Sequence, residues 1–575
     1  MKNRNNNNRR KYFAIIVCSI LAVLAAPSAY AQKETDTLPK LDEVDIVKAY
    51  EPVLISSNKV PLAPNLPNIQ KSKPDAQTYS YSDVKGKISY SAEDIKPIKA
   101  AGKKPEKNTF FYAKLGFGYP ITPLAKIVIT NPIKTSYSAG VDVDFMMTFK
   151  NKKQYQNYTD LKIKGFGEYY VKKKAAIGAE LFYRLNQYNF YGYANDISTR
   201  DSLKTNYNRV GGAIKLRGIE EAPYYYNGEI NFTTTFNKNV YHTPKEITIG
   251  VNGEGGYNFK GNYWLGAKLN IVNVSYNDNY KDTTSSSILN KQNHLTVQAI
   301  PYAKIKFKIW QLKVGPNLIV TNRTFYILPE IENQLQIYKD YFVMYNEWKT
   351  QVKINSLNNL ALENPFVVPY NFNNSIDETR TIVGFRGSAK GFGYDVRFSQ
   401  MVSRSNAQFY NTAFSLPYPP ETIPFFNVQN IHSLKAWNPH IGISYTKGNQ
   451  FGAKAWFDYF VYNKNTVDEL SYIPKIKAGF SAFYNWNNKL YVNVDVTGQG
   501  RVNAVTYIYG DPFGLTKAIT PIKGLVDVNL SANYFITKNI GVFIDLNNVG
   551  FQKWQRFYKY PTYSFQVIGG VKLNF

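Results

Sequence analysis

Apolar and polar residues alternate one by one along most of this chain, and no segment with a helical repeat stands by to cover the apolar face. The last stretch is the plainest case. In YSFQVIGGVKLNF, from Tyr563 to Phe575, residues Phe565, Val567, Gly569, Val571, Leu573 and Phe575 are apolar or small, and Ser564, Gln566, Lys572 and Asn574 lie between them. A period of two makes a strand with one oily and one wet face. With no second layer to bury them, the oily faces are left to lipid. The fold class expected is therefore all-β, a transmembrane antiparallel β-barrel of the outer-membrane kind.

The first residues agree with that compartment. Lys2, Arg4, Arg9, Arg10 and Lys11 precede an apolar run from Tyr12 to Ala26, and Ala29-Tyr30-Ala31 has the small-x-small form of a cleavage site. Residues 1–31 read as a secretory signal peptide cleaved before Gln32. The only cysteine, Cys18, leaves with it. Residues 32–107 carry prolines at 39, 52, 61, 64, 67, 74, 97 and 105 and no sustained periodicity, so they are expected to be an extended segment, periplasmic or lumenal. The barrel is assigned to 108–575.

No later stretch nears the roughly eighteen consecutive apolar residues of a membrane helix. Aromatic content is the better discriminator. The chain holds 47 Tyr, 36 Phe and 7 Trp, 16% of its residues, which suits rings seated in girdles at two membrane interfaces. A secreted all-β glycan-binding protein would share the taste for tyrosine. Formal charge is +28, and taking away the five basic residues of positions 1–31 leaves +23. These cations are spread over strands and turns rather than gathered on one patch, so nucleic acid is not an expected partner. Lipid phosphates on an outer leaflet, or anionic substrates in a lumen, are the expected counter-charges.

About twenty-two amphipathic segments follow one another, from 108–117, 120–131 and 134–149 to 523–537, 538–550 and 562–575. Their polar faces carry charge, as at Asp142 and Asp144 opposite Val141, Val143 and Phe145. Short links such as Lys173, Lys260-Gly261-Asn262 and Gly448 follow the even-numbered segments. Longer ones, 193–204, 277–290, 355–377, 405–423 and 500–522, follow the odd-numbered ones. That alternation of periplasmic turns and outer loops belongs to a barrel with both ends of its sheet in the periplasm. The closing strand is then expected to pair 562–575 with 108–117.

No catalytic set emerges, and neither a cofactor nor a metal is expected. His242, His294, His432 and His440 stand singly, although His432 and His440 lie eight apart on one strand. Tyr276 to Asp282 has oxygen ligands suited to Ca²⁺ but is more simply a solvated loop. Gly250 to Gly256 lacks the Lys-Ser/Thr of a phosphate loop and reads as close strand packing or a bulge. The aromatic outer stretches around Phe409-Tyr410, Phe414, Tyr418-Pro419-Pro420 and Phe425-Phe426 would stack on a ligand, pack against a surface lipoprotein, or simply stiffen a loop that covers the pore.

Leu546-Asn547-Asn548-Val549, with Tyr558, Tyr560-Pro561 and the terminal Gly570 to Phe575, resembles the last two strands of TonB-dependent receptors. The run Leu41, Asp42, Glu43, Val44, Asp45, Ile46, Val47 looks like the TonB-contacting box of such receptors in Bacteroidota. The resemblance implies twenty-two strands and strand addition of that run to TonB across the periplasm. Such receptors enclose a plug well over a hundred residues long, and 32–107 is too short to be a complete one. The expected protein is a receptor-like barrel for passage of an unidentified solute, or a non-transporting scaffold for periplasmic or surface partners. Its lumen would be closed by the Pro-rich segment, by loops such as 355–377 and 405–423 folding inward, or by a partner. The closing residues Phe565, Val567, Val571, Leu573 and Phe575 are similar to the aromatic-ended signal that barrel-assembly machinery recognises.

Overall fold

The computed structural model describes residues 110–131, 136–149, 156–172, 174–192, 204–219, 222–239, 243–281, 287–368, 372–415, 422–463, 469–510 and 514–575. The signal peptide, the Pro-rich segment and the run Leu41 to Val47 lie outside them.

The alternating segments form the wall of a closed antiparallel barrel of twenty-two strands. The first eleven are β1 (Phe111–Tyr119), β2 (Leu124–Thr130), β3 (Tyr137–Thr148), β4 (Tyr158–Val171), β5 (Ala175–Asn189), β6 (Lys204–Gly218), β7 (Tyr224–Lys238), β8 (Lys245–Phe259), β9 (Tyr263–Lys281), β10 (Ser287–Lys306) and β11 (Trp310–Thr321). The others are β12 (Thr324–Tyr338), β13 (Phe342–Lys353), β14 (Ser375–Ala389), β15 (Phe392–Ser415), β16 (Thr422–Lys447), β17 (Phe451–Tyr459), β18 (Ile476–Trp486), β19 (Leu490–Gln499), β20 (Leu525–Phe535), β21 (Ile540–Asn547) and β22 (Gln566–Asn574). Each pairs with the next, and β22 closes on β1 from Tyr112↔Asn574 to Tyr119↔Val567. Closure leaves no edge in the hydrocarbon region, where an unpaired peptide group would be costly.

The period of two sorts the side chains. Phe117, Ile129, Val141, Ile163, Leu181, Ile214, Val542 and Val571 point outward and are exposed, as residues meeting lipid must be. The alternate residues face the lumen, and several of them are joined in cross-strand ion pairs. Arg184 grips Asp160 with two hydrogen bonds of 3.0 and 2.7 Å, and Arg217 grips Glu168 with two of 2.9 Å. Lys126 meets Asp144 at 3.1 Å, Lys215 meets Glu180 at 3.0 Å, and Lys313 meets Glu332 at 3.1 Å. The wall of the lumen is thus polar with the two signs interleaved.

Lumenal rings lie flat on glycines of the adjoining strand. A Cβ on Gly384 would sit 2.4 Å from Cζ of Tyr345, and one on Gly256 would sit 2.7 Å from Cε1 of Tyr225. Gly256 belongs to the stretch Gly250 to Gly256, whose expected close strand packing is what β8 displays.

Three expected loops have more structure than the alternation suggested. The 277–290 loop is largely absorbed by β9 and β10. Likewise β15 and β16 run through most of 405–423 as one tall hairpin. Residues 500–522 contain a second hairpin, Val502–Gly510 with Gly514–Ile522, which pairs in parallel with β15 at Asn411↔Thr506 to Ala413↔Ile508. Mutual pairing outside the wall is what carries these strands past the length a bilayer needs.

Candidate functional site: a loop-built closure of the barrel mouth

Connections after odd-numbered strands all lie at the end of the barrel remote from Phe110 and Phe575. At that end the loops fold over the lumen. The connection after β13 holds α1 (Leu357–Glu363), capped by Ser356, whose Oγ accepts from the Asn359 N–H at 3.2 Å. Its start is held from across the barrel. Glu246 of β8 accepts the N–H groups of Leu357 and of Asn358, the latter at 3.2 Å, and Arg209 of β6 donates from Nε to Asn358 Oδ1 at 2.5 Å. Tyr207 of β6 donates its hydroxyl to the Pro365 carbonyl at 3.0 Å.

Asparagines pin the ends of this loop. Asn355 N donates to Asn374 Oδ1 at 3.0 Å, and Asn374 N donates to Asn322 Oδ1 at 2.9 Å. The Asn374 amide also donates to Thr296 Oγ1 at 2.9 Å, and Asn373 N to Asn430 Oδ1 at 2.9 Å. Further on, Val368 N donates to the Phe426 carbonyl of β16 at 2.7 Å. The side-chain oxygens of Asn374, Asn322 and Asn430 thus accept loop N–H groups that would otherwise lie unpaired.

A second loop, 548–565 between β21 and β22, comes from another sector. Asn548 holds it closed, its amide donating to the carbonyls of Gln552 at 2.7 Å, Tyr563 at 3.1 Å and Ser564. The Pro561 carbonyl accepts from Gln156 Nε2 at 2.6 Å and from the Tyr191 hydroxyl at 3.0 Å. A third segment, 469–475, joins through Tyr472, whose N–H reaches the Asn503 carbonyl at 2.8 Å and whose hydroxyl accepts from Tyr558 N at 3.3 Å.

Where the loops meet they share an aromatic cluster. Phe366 stacks on Tyr560 at 3.9 Å and 22°, Tyr191 meets Tyr560 edge-on at 5.1 Å, and Phe557 lies 5.1 Å from Phe426 and 5.4 Å from Tyr472. Around them Phe190, Tyr207, Tyr276, Leu357, Leu360, Phe372 and Phe409 complete one buried apolar core. Burial raises the phenols of Tyr191, Tyr472 and Tyr563 above the ordinary tyrosine value, so these rings stay neutral. It lowers the Arg556 guanidinium, with Glu363 opposing the shift.

Inward folding of 355–377 is thus what the structure adopts. The stretch 405–423 contributes differently, as a strand hairpin whose Phe409 enters the core. Phe565 belongs to the covering loops and stacks on Phe551 at 4.7 Å. Val567, Val571 and Leu573 remain on β22, and the Phe575 carbonyl accepts from Phe110 N at 2.6 Å and Phe111 N at 3.0 Å, closing the seam. His440 is buried and its Nδ1 lies 2.9 Å from Asp458 Oδ1, whereas His432 is exposed, so the two share no face. The β15–β16 pairing skips Ser405, whose φ is +50°, and His432 opposite it, between Arg404↔Ser433 and Asn406↔Ile431.

Phe366, Tyr560, Tyr472, Asn548, Glu246 and Arg209 were not legible as a group. The available signal was the asparagines bracketing 355–374, since Asn at both ends of a loop suits pinned peptides.

No protein-family model and no curated protein matches the chain. Among solved structures it is similar to the siderophore receptor PirA from Acinetobacter baumannii, with TM-score 0.60, 12% identity, and 82% of this chain and 81% of that one covered. A ferric enterobactin receptor PfeA from Pseudomonas aeruginosa gives TM-score 0.61 at 9% identity, covering 81% of each chain. The copper transporter OprC gives 0.59 at 9%, covering 82% and 81%. At such identities the likeness is one of fold. The protein has the barrel of outer-membrane receptors.

Proposed function

We propose that the protein is an outer-membrane receptor whose barrel passes a solute when its loop closure is displaced, with the run Leu41 to Val47 adding as a strand to TonB. The observation that carries this reading is the nature of the closure. The mouth is covered mainly by side-chain contacts between loops from separate sectors, so it can open without unpairing the wall. The structural likeness to a siderophore receptor and a copper transporter supports it. Replacing Val44 and Ile46 by proline removes peptide donors from the added strand. Full-length protein carrying both changes should no longer capture purified TonB periplasmic domain. Undiminished capture would sink the coupling.

A second reading, a scaffold for a surface partner such as a lipoprotein, draws on one feature. The strand Gly514–Ile522 pairs on one edge only, among the described residues. A partner strand seated there would leave binding indifferent to the proline changes.

A further inference from the structure

The turns at the end that carries Phe110 and Phe575 have a composition the receptor reading does not use. On six successive ones, those after β8, β10, β12, β14, β16 and β18, an exposed lysine stands at the turn: Lys260, Lys308, Lys339, Lys390, Lys447 and Lys489. None of them meets a carboxylate among the described residues. Asp340 is the lone acid within these turns, and it accepts from Gln336 Nε2 at 3.0 Å.

Two observations say what this ring faces. Each lysine is flanked by outward rings at the same level, as Lys260 by Phe259 and Tyr263, Lys339 by Tyr338 and Tyr341, and Lys489 by Trp486, all exposed. Such rings sit at the headgroup level of a bilayer, which puts the neighbouring ammonium groups at phosphate depth. The backbone is the second observation. Lys260, Lys339 and Lys390 hold φ of +54°, +44° and +49°, left-handed values that asparagine or glycine adopts at lower cost. A lysine standing where the turn itself favours another residue points to a use for its charge.

We infer that this rim binds the phosphate groups of anionic glycerophospholipids in the leaflet on the side of the termini. Lumenal carboxylates such as Asp160 and Glu168 are already taken up in ion pairs with Arg184 and Arg217, and the rim stands at the end away from the loop-covered mouth.

The test uses the full chain in nanodiscs of phosphatidylcholine containing phosphatidylglycerol, with spin-labelled forms of each lipid as probes. Changing Lys260→Asn, Lys339→Asn and Lys390→Asn together should leave the unfolding temperature unchanged or higher. It should reduce the selectivity for phosphatidylglycerol by roughly fivefold or more. Lys→Arg at the same three positions should retain that selectivity. Unchanged selectivity in the Asn variant overturns the inference. So does a fall in unfolding temperature that accompanies the loss, because the lysines would then serve the fold. Binding of a synthetic peptide spanning residues 36–51, with its five carboxylates, in place of any lipid preference also overturns it, in favour of an acidic protein segment.

Discussion

Phe366 and Tyr560 stack at 3.9 Å although the chain enters their loops from β13 and β21, on separate sectors of the ring. The pair is the centre of the covering loops, with Tyr191 and Phe426 packed on Tyr560 from two further directions. Removing one ring leaves a hole lined by the others. The Phe366→Ala change should cost about 3–5 kcal/mol of local stability. It should also make 354–374 susceptible to protease on intact barrels, detectable by mass mapping of the fragments. A loop that stays resistant would mean that the asparagine bonds alone hold it.

Asn548 combines two roles that no other residue type fills. Its φ is +50°, a conformation asparagine tolerates, and its amide donates to three carbonyls of its own loop. Asn548→Asp keeps the shape but removes the donors and sets a negative charge against those oxygens. Asn548→Asp is therefore expected to lower stability by at least about 1–3 kcal/mol, no less than Asn548→Ala. Heat-modifiability of the barrel on gels, run as a temperature series, ranks the two.

Near the seam, Lys114 Nζ lies 2.7 Å from Asp545 Oδ2 with both side chains buried, and 4.0 Å above the Phe543 ring. Lys114→Met strands the carboxylate and should cost about 3–5 kcal/mol. Pairing it with Asp545→Leu should recover most of the loss, because the stranded carboxylate is then gone and buried Lys572 keeps its bond to Asn533. A double-mutant cycle by urea unfolding in detergent measures the coupling, and independent, additive losses would contradict it.

Gly384 lies beneath the Tyr345 ring, whose hydroxyl donates to Asp395 at 2.6 Å. A methyl group there has no room, so Gly384→Ala should destabilise by about 1–3 kcal/mol. In a Tyr345→Ser background the same change should be nearly neutral. Folded yield after refolding into detergent gives the comparison.

How far the sequence reaches can be judged from β22 and Phe366. The alternation of Val567, Val571 and Leu573 with Gln566 and Lys572 is a local property of an extended backbone, since successive side chains point to opposite faces whatever surrounds them. Strand existence, facing and the pairing of the last strand with the first were legible for that reason. So was the number of strands, because each one ends at a turn that leaves its own mark. Where β15 and β16 stop was not, because their upper parts are held by the hairpin 502–522 rather than by lipid. Nor could the sequence bring Phe366 to Tyr560, or Glu246 to the start of α1. Loop residues carry no period, and their positions depend on contacts between segments hundreds of residues apart. The sequence by itself determined a barrel and what each face of its wall meets. Only the tertiary structure decided that its mouth is closed by its own loops, because which loops can touch depends on the curvature of a ring that exists only once the last strand has met the first.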